Sequence, residues 1–459
     1  MRKISKSKHL DFQVTNHNLY VMSKKTSDED KSELLIPSGL VVIDEAHKFK
    51  SVVEDTYTER INKNTLGAYI NAIRYKCTKD ATQYKNCIEK LLQEISVLFE
   101  DFALLRLGKD LDEEKGSVIS LSYKQISSVT NIVSLLTLIN QNHQDKVYKR
   151  IGKTLIKSFD NILKRSKYIV WLDGENAANL TLCVTPKNIN VVIKDKILNS
   201  NSRFVLASGT MSDGNDFEYF KRENGLDRIS KPLLQETKTE SGFNYANNAR
   251  LYIPEDMPYP NNDDAEYLNA IADRCYELIR ATNGHTAILF TSYKVLNEVY
   301  LLLKERLTKY EVICMTRGNK TAISDFKKAK NGVLFASGPM WEGVNCSGDL
   351  LSSLIIVRLP FPMRSVVSEE KKDKNISKFI NEVCLPNMLI KLRQGAGRLI
   401  RTEKDTGVIS ILDSRASKNG KYHVNVYNAL KKYPLINSVR DVEYFMRGIK
   451  DESYFGEQE

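Results

Sequence analysis

The stretch "GLVVIDEAHKFK", Gly39–Lys50, decides the fold. Its apolar run, Leu40 to Ile43, leads straight into two carboxylates and a histidine. An unbroken apolar run of that length indicates a strand buried on both faces, as in parallel sheets. Open α/β sheets bind ligands outside the carboxyl ends of their strands. Asp44, Glu45 and His47 are therefore expected at a binding edge. An aspartate there can hold Mg2+, a hard cation that takes carboxylate and water oxygens. The adjacent glutamate can polarise a water for in-line attack on a terminal phosphate. His47 can sense the phosphate side and pass the signal on.

Further strand-like runs extend outward in two groups. The first adds "YIVWLD" (168–173), "LTLCV" (180–184), "INVVI" (189–193) and "RFVLAS" (203–208). The second comprises "RLYI" (250–253), "TAILFTS" (286–292), "EVICM" (311–315), "GVLFAS" (332–337), "LLSSLIIVRL" (350–359) and "GVISILD" (407–413). Helical patterns such as "VLNEVYLLLKERL" (295–307) alternate with them, which predicts an α/β fold with parallel sheets. Residues 51–165 differ. They contain no proline and carry long helical patterns, "CIEKLLQEISVLFEDFALL" (87–105) and "SVTNIVSLLTLINQ" (128–141), and so predict an all-helical insertion. The expected division is 1–50 and 166–212 as one α/β domain, 51–165 inserted into it, and 213–459 as a second. "DGNDFEYFKRENG" (213–225) is the expected crossing.

At 459 residues the chain can hold two or three cores. Lys and Arg exceed Asp and Glu by 68 − 57 = 11, a surplus that favours a polyanionic partner, nucleic acid first. The same surplus also fits a merely basic soluble protein. The seven cysteines, at 77, 87, 183, 275, 314, 346 and 384, form no CxxC pair and no metal-ligand spacing. Such a scattered set suggests reduced thiols in a cytoplasmic protein. No apolar run approaches the roughly 18 residues that span a bilayer. The basic start "MRKISKSKHL" is followed by the polar "DFQVTNHN", which is no signal-peptide apolar region.

Three more stretches carry chemistry. "LASGTMS" (206–212) ends a strand with small and hydroxyl residues suited to a tight hydrogen-bonding linker. "FASGPMWEGVNCSGD" (335–349) ends a strand in a glycine-rich loop with Glu342 and Gly343. "QGAGRLIRTEKDTGVISILDSR" (394–415) sets Gln394, Arg398 and Arg401 at i, i+4 and i+7, on one face if the stretch is helical. Paired guanidinium groups suit the spread charge of a transferring phosphoryl group. Two glycines within a helix imply close packing against another element.

The order DEAH, SGT, "LFTSY" (289–293), "WEGVN" (341–345) and "QGAGRLIR" (394–401) resembles motifs II to VI of superfamily 2 helicases of the XPD/DinG group. "VTNHNLYV" (14–21) resembles the strand before the DEAH box, and "TSYKVL" (291–296) and "IVRLPFP" (356–362) fit as well. The resemblance covers nearly the whole chain. It implies two RecA-like domains, the first truncated, with an arch-like insertion. It also implies an ATP-driven motor moving 5′ to 3′ on single-stranded DNA. Asp44 would then bind Mg2+, and Glu45 would activate water. His47 and Gln394 would couple hydrolysis to the domain interface, while Ser208 and Thr210 would link ATP state to DNA grip. Thr291 and Ser292 would join that nucleic-acid coupling. Glu342 and Gly343 would contact nucleotide or DNA, and Arg398 and Arg401 would be arginine fingers.

The sequence departs from that pattern in three places. Nothing in it fits G-x-x-x-x-G-K-[ST]; "RIGKTLIKS" (150–158) has Val147 where the first glycine belongs and lies in a helical pattern. No cysteine precedes Cys77, so no iron–sulfur cluster is expected from this chain. "WEGVN" carries Asn345 where the group usually has aspartate. The phosphate loop is thus expected on a separate N-terminal polypeptide or upstream frame, or else lost. The chain is then part of a helicase that needs its complement, or a non-hydrolysing nucleic-acid-binding or assembly module. A stand-alone ATPase with another phosphate clamp is the third alternative.

Overall fold

The computed structural model describes residues 11–30, 34–75, 81–107, 116–174, 179–199, 201–212, 216–239, 242–262, 264–315, 321–341, 346, 348–362 and 375–456. The chain divides into two compact units. One is Met1–Met211 with Glu218–Gln235 and Met363–Phe379; the other is Ser212–Phe217 with Glu236–Pro362 and Ile380–Glu459.

Among the described residues the first unit has two sheets. Strands β1 (Leu40–Ile43) and β6 (Arg203–Leu206) pair in parallel, Leu40 opposite Arg203 and Ile43 opposite Leu206. One face of the pair packs on a core containing Val21, Ile43, Ala46, Phe49, Val53, Ile193 and Phe220. On the other face Leu40, Val42 and Val205 are 56%, 62% and 48% exposed. Among the described residues this strand is therefore covered on one face, not on both as its apolar run predicts.

Strands β2 (Glu59–Asn62), β3 (Ser117–Val118), β4 (Tyr168–Asp173) and β5 (Thr181–Pro186) form an antiparallel sheet in the order β2-β5-β4-β3. This corrects the expectation that "YIVWLD" and "LTLCV" belong to the first parallel sheet. The reason is the length of the connection. Seven residues, 174–180, separate β4 from β5, and a parallel crossover needs about a dozen or more. The inserted segment is also not all-helical, since β2 and β3 lie within it. Its helices, including Lys63–Tyr75, Ala81–Leu107, Tyr123–Asn142 and Lys146–Leu163, share one core with β2, β4 and β5. "RIGKTLIKS" is indeed helix: Gly152 faces the Asn140 and Tyr69 side chains, where a β-carbon would not fit.

Two further runs read as strands are helices. "VTNHNLYV" enters the helix His17–Asp30, whose first turn is capped by Asn16 accepting the Leu19 N–H at 2.8 Å. "INVVI" is helical because Ile189, Ile193 and Ile197, four residues apart, are the positions it buries. Of the expected crossing 213–225, residues 213–215 lie outside the described residues, and Glu218–Gln235 belong to the first unit.

Among the described residues the second unit is built on one seven-stranded parallel sheet. Its strands are β7 (Ala249–Tyr252), β8 (Thr286–Phe290), β9 (Val312–Cys314), β10 (Val333–Ser337), β11 (Ser353–Ile356), β12 (Gly407–Ile411) and β13 (Leu435–Ile436). They lie in the order β13-β7-β12-β11-β8-β10-β9. All six expected runs are present; the two-residue β13 was too short to announce itself. Ala287, Leu289, Ile409 and Ile411 point into one core, and Ile288, Phe290, Phe335 and Val408 into the other. Each such buried Leu, Ile, Val or Phe side chain contributes about 1.5–3 kcal/mol. Coverage on both faces is why these strands read as unbroken apolar runs.

Candidate functional site

The first cluster stands where β1 ends. Ala207 donates its N–H to the Ile43 carbonyl (2.9 Å), and Ala46 donates to the Ala207 carbonyl (3.0 Å), so the two strand ends are clamped together. Between them Glu45 adopts a left-handed backbone (φ 47°, ψ 44°) that a non-glycine residue reaches only at a cost. The turn exposes Asp44 and Glu45 together. One Asp44 carboxylate oxygen accepts the Glu45 N–H (2.9 Å), and His17 Nε2 lies 2.8 Å from the Asp44 carbonyl oxygen.

A short helix, Ala46–Lys48, then turns His47 back toward β6. Its Nδ1 is 2.8 Å from Ser208 Oγ and 3.3 Å from Glu45 Oε2. Ser208 Oγ lies 3.4 Å from the same carboxylate and accepts the Thr210 N–H at 3.2 Å. The structure therefore joins Glu45, His47, Ser208 and Thr210 in one hydrogen-bonded group beside Asp44. Among the described residues no cluster of three or more His, Cys, Asp or Glu could cage a metal. A lone exposed aspartate fits Mg2+, which is held by one or two carboxylates plus phosphate and water.

The second cluster lies in the second unit and differs from its expectation. The helix Leu385–Ala396 carries Gln394 but stops there, so Arg398 and Arg401 follow in turns rather than on one helical face. Gly397 ends it, donating its N–H to the Arg393 carbonyl at 2.9 Å, and Arg398 N–H closes a tight turn on Gly395 (2.9 Å). Gly395 does have the close partner that a helical glycine implies. A β-carbon there would sit 2.9 Å from Cζ3 of Trp341, which is fully buried and donates its indole N–H to the Phe290 carbonyl (3.1 Å).

Arg401 is held by a residue that sequence reading missed. Buried Asp405 accepts the N–H groups of Arg401 and Thr402 (both 2.7 Å), the Thr402 hydroxyl (2.8 Å) and the Gly348 N–H (2.8 Å). Burial pushes the Asp405 carboxyl up, but these donors outweigh it and leave it below the usual carboxylate range. The available signal was the spacing Thr402-x-x-Asp405, a hydroxyl and a carboxylate three apart. Ser292 caps the helix Tyr293–Leu303 by accepting the Lys294 N–H (3.2 Å), and Thr291 precedes it, half-buried. Glu342, Gly343 and Asn345 lie outside the described residues.

Comparison with known proteins bears on both clusters. The helicase C-terminal domain family matches residues 275–433. The ATP-dependent DNA helicases YoaA of Haemophilus influenzae and Escherichia coli are each 25% identical, over 433 and 429 residues, covering 89% of this chain. The 3'-5' exonuclease DinG of Bacillus subtilis is 22% identical over 89% of the chain and half of its own length. The chain is thus similar to helicases of the XPD/DinG type in superfamily 2. It spans 65% of the length of either YoaA protein. The structure of S. tokodaii Xpd4 superposes with a TM-score of 0.55 over 92% of this chain and 81% of its own, at 17% identity, a likeness of fold. That likeness of fold gives RecA-like architecture to the parallel sheets that carry the two clusters.

Proposed function

We propose that this chain carries the magnesium-and-water half and the C-terminal half of an ATP-dependent motor that translocates 5′ to 3′ on single-stranded DNA in the cytoplasm. The observation that carries the proposal is the Glu45–His47–Ser208 group: the carboxylate suited to activating water is hydrogen-bonded to the linker expected to feel DNA. Asp44 would hold Mg2+, which neutralises charge on the phosphates, while Glu45 orients the attacking water. Arg398 and Arg401 would meet the phosphoryl charge, Gln394 would report it, and Thr291, Ser292, Glu342 and Gly343 would belong to nucleotide and DNA contacts. The net charge of +11 suits a phosphate-backbone partner. We place an arch-like role in 51–165 together with the β4–β5 hairpin, a RecA-like half in 1–50 with 187–212, and the motor's second domain in 236–459.

The 459 residues contain no G-x-x-x-x-G-K-[ST], so turnover requires a phosphate cradle from outside them. About four charge-assisted hydrogen bonds at roughly 1.5–3 kcal/mol each amount to four or more decades of binding and rate. The same observation favours a second reading, a DNA-binding module that never hydrolyses ATP.

The test is DNA-stimulated phosphate release by this chain alone and joined to a phosphate-loop segment, each with a Glu45→Gln control. Background release alone and Glu45-dependent turnover when joined support the motor. Background in every case supports the module. DNA binding in both readings should weaken with salt at a log–log slope of about −0.7 per phosphate. We also propose that no iron–sulfur cluster resides here. Burial pushes the Cys183 thiol up to about 12, with Asp173 adding to it, and buried Cys275 is raised as well, so neither is a ready thiolate ligand. Stoichiometric iron in anaerobically purified protein would overturn this.

A further inference from the structure

A cavity of about 580 Å³ opens within the first unit, where the helical insertion meets the β1–β6 layer. Its lining comes from elements far apart in sequence. Lys25 comes from the helix His17–Asp30, Glu59 from β2 and Lys157 from the helix Lys146–Leu163. Lys167 and Tyr168 come from the start of β4, and Lys196 from the helical turn Ile193–Leu198. Four ammonium groups against one carboxylate give 4 − 1 = +3 around a space that also has an apolar wall.

Lys25 is fixed in place, donating to the Thr56 carbonyl at 2.8 Å. Glu59 is the odd member. Its Oε1 accepts from Asn161 (3.1 Å), while Oε2 is buried with no hydrogen-bond partner among the described residues. Burial pushes this carboxyl up, with Ser158, Lys25, Lys157 and Asn161 pulling the other way.

We propose that this cavity binds a nucleoside phosphate, the phosphate among the lysines and the base against Tyr168 and the apolar wall. The volume decides against a bare phosphate, since clefts of roughly 300–1,000 Å³ are the size for organic ligands. The same chemistry is offered by a free nucleotide and by the phosphorylated end of a DNA strand. The site is separate from the Asp44–Glu45 turn and does not depend on that turn's role.

The experiment is calorimetric titration of the chain with dAMP, deoxyadenosine, inorganic phosphate, and a thymidine decamer with and without a 5′-phosphate. The dAMP should bind at least tenfold more tightly than deoxyadenosine or phosphate alone. Combined Lys167→Glu and Lys196→Glu changes, both at exposed positions, should weaken dAMP at least tenfold with the circular dichroism spectrum intact. Glu59→Gln should tighten it about two- to fivefold by removing a like charge, and Glu45→Gln should leave it unchanged. A lysine-sensitive preference for the phosphorylated decamer over free dAMP assigns the strand end as the source; the reverse assigns the free nucleotide. Binding that survives the lysine reversals, disappears in Glu45→Gln, or is equal for dAMP and deoxyadenosine overturns the proposal.

Discussion

His47 Nδ1 stands 2.8 Å from Ser208 Oγ, joining residues 161 apart in sequence at the ends of two paired strands. Ser208→Ala removes this half-buried hydrogen bond and the acceptor of the Thr210 N–H. Stability should fall by about 0.5–1.5 kcal/mol per bond in urea unfolding, with secondary structure unchanged. An unaltered unfolding midpoint would show that the group is not held together in solution.

Glu45 pays for its place in the turn with a left-handed backbone. Glycine has no such penalty, so Glu45→Gly should gain up to about 1–2 kcal/mol, offset in part by the entropy of the unfolded glycine. Glu45→Gln keeps the strain and should leave stability near wild type. Thermal melts of the two variants separate the effects, and a Glu45→Gly protein less stable than Glu45→Gln would contradict the strained turn.

Two helical glycines should respond in opposite directions. Alanine at 395 would drive a β-carbon to 2.9 Å from the buried Trp341 ring, costing about 1–3 kcal/mol despite alanine's better helix propensity. Alanine at 67 meets nothing within 4 Å in the helix Lys63–Tyr75 and should gain about 0.5–1 kcal/mol. Equal effects of the two changes would refute the packing of Gly395 on Trp341.

Asp405 predicts a pH dependence. Its folded carboxyl lies below the ordinary aspartate value of about 3.9. Its contribution is therefore complete above that value and is lost as pH falls through it toward the folded pKa. Asp405→Asn should cost about 1–3 kcal/mol near pH 7, and the gap to wild type should narrow in acid. Urea titrations at pH 7 and pH 3 check this; a gap that widens in acid has the wrong sign.

The second unit was legible in sequence because each central strand is buried on both faces and writes itself as an apolar run. The first was less so. Residues 168–173 and 180–184 look the same whether their sheet is parallel or antiparallel, and the short connection between them was the clue to the answer. Four of residues 189–193 are β-branched and read as strand, although the burial of Ile189, Ile193 and Ile197 has a helical period. At the site, Asp44, Glu45, His47, Ser208 and Thr210 were legible as motifs and do come together. The helix ending at Ala396 was not, because both glycines read as packed inside one longer helix, although Gly397 marks its terminus. Asp405 was missed because its four donors are mostly backbone N–H groups, which leave no residue-type signature.

Strand β7 lies between β12 and β13, yet β12 begins at Gly407, 407 − 252 = 155 residues after β7 ends. A ribosome adding about 5–20 residues per second needs roughly 8–30 s to supply that first neighbour. Throughout that interval Ala249, Leu251 and Tyr252, all buried in the finished sheet, have no strand to lie beside. The nascent chain thus emerges with a sticky edge strand awaiting its partners, and its yield in the cell should track the supply of chaperones that hold such segments apart.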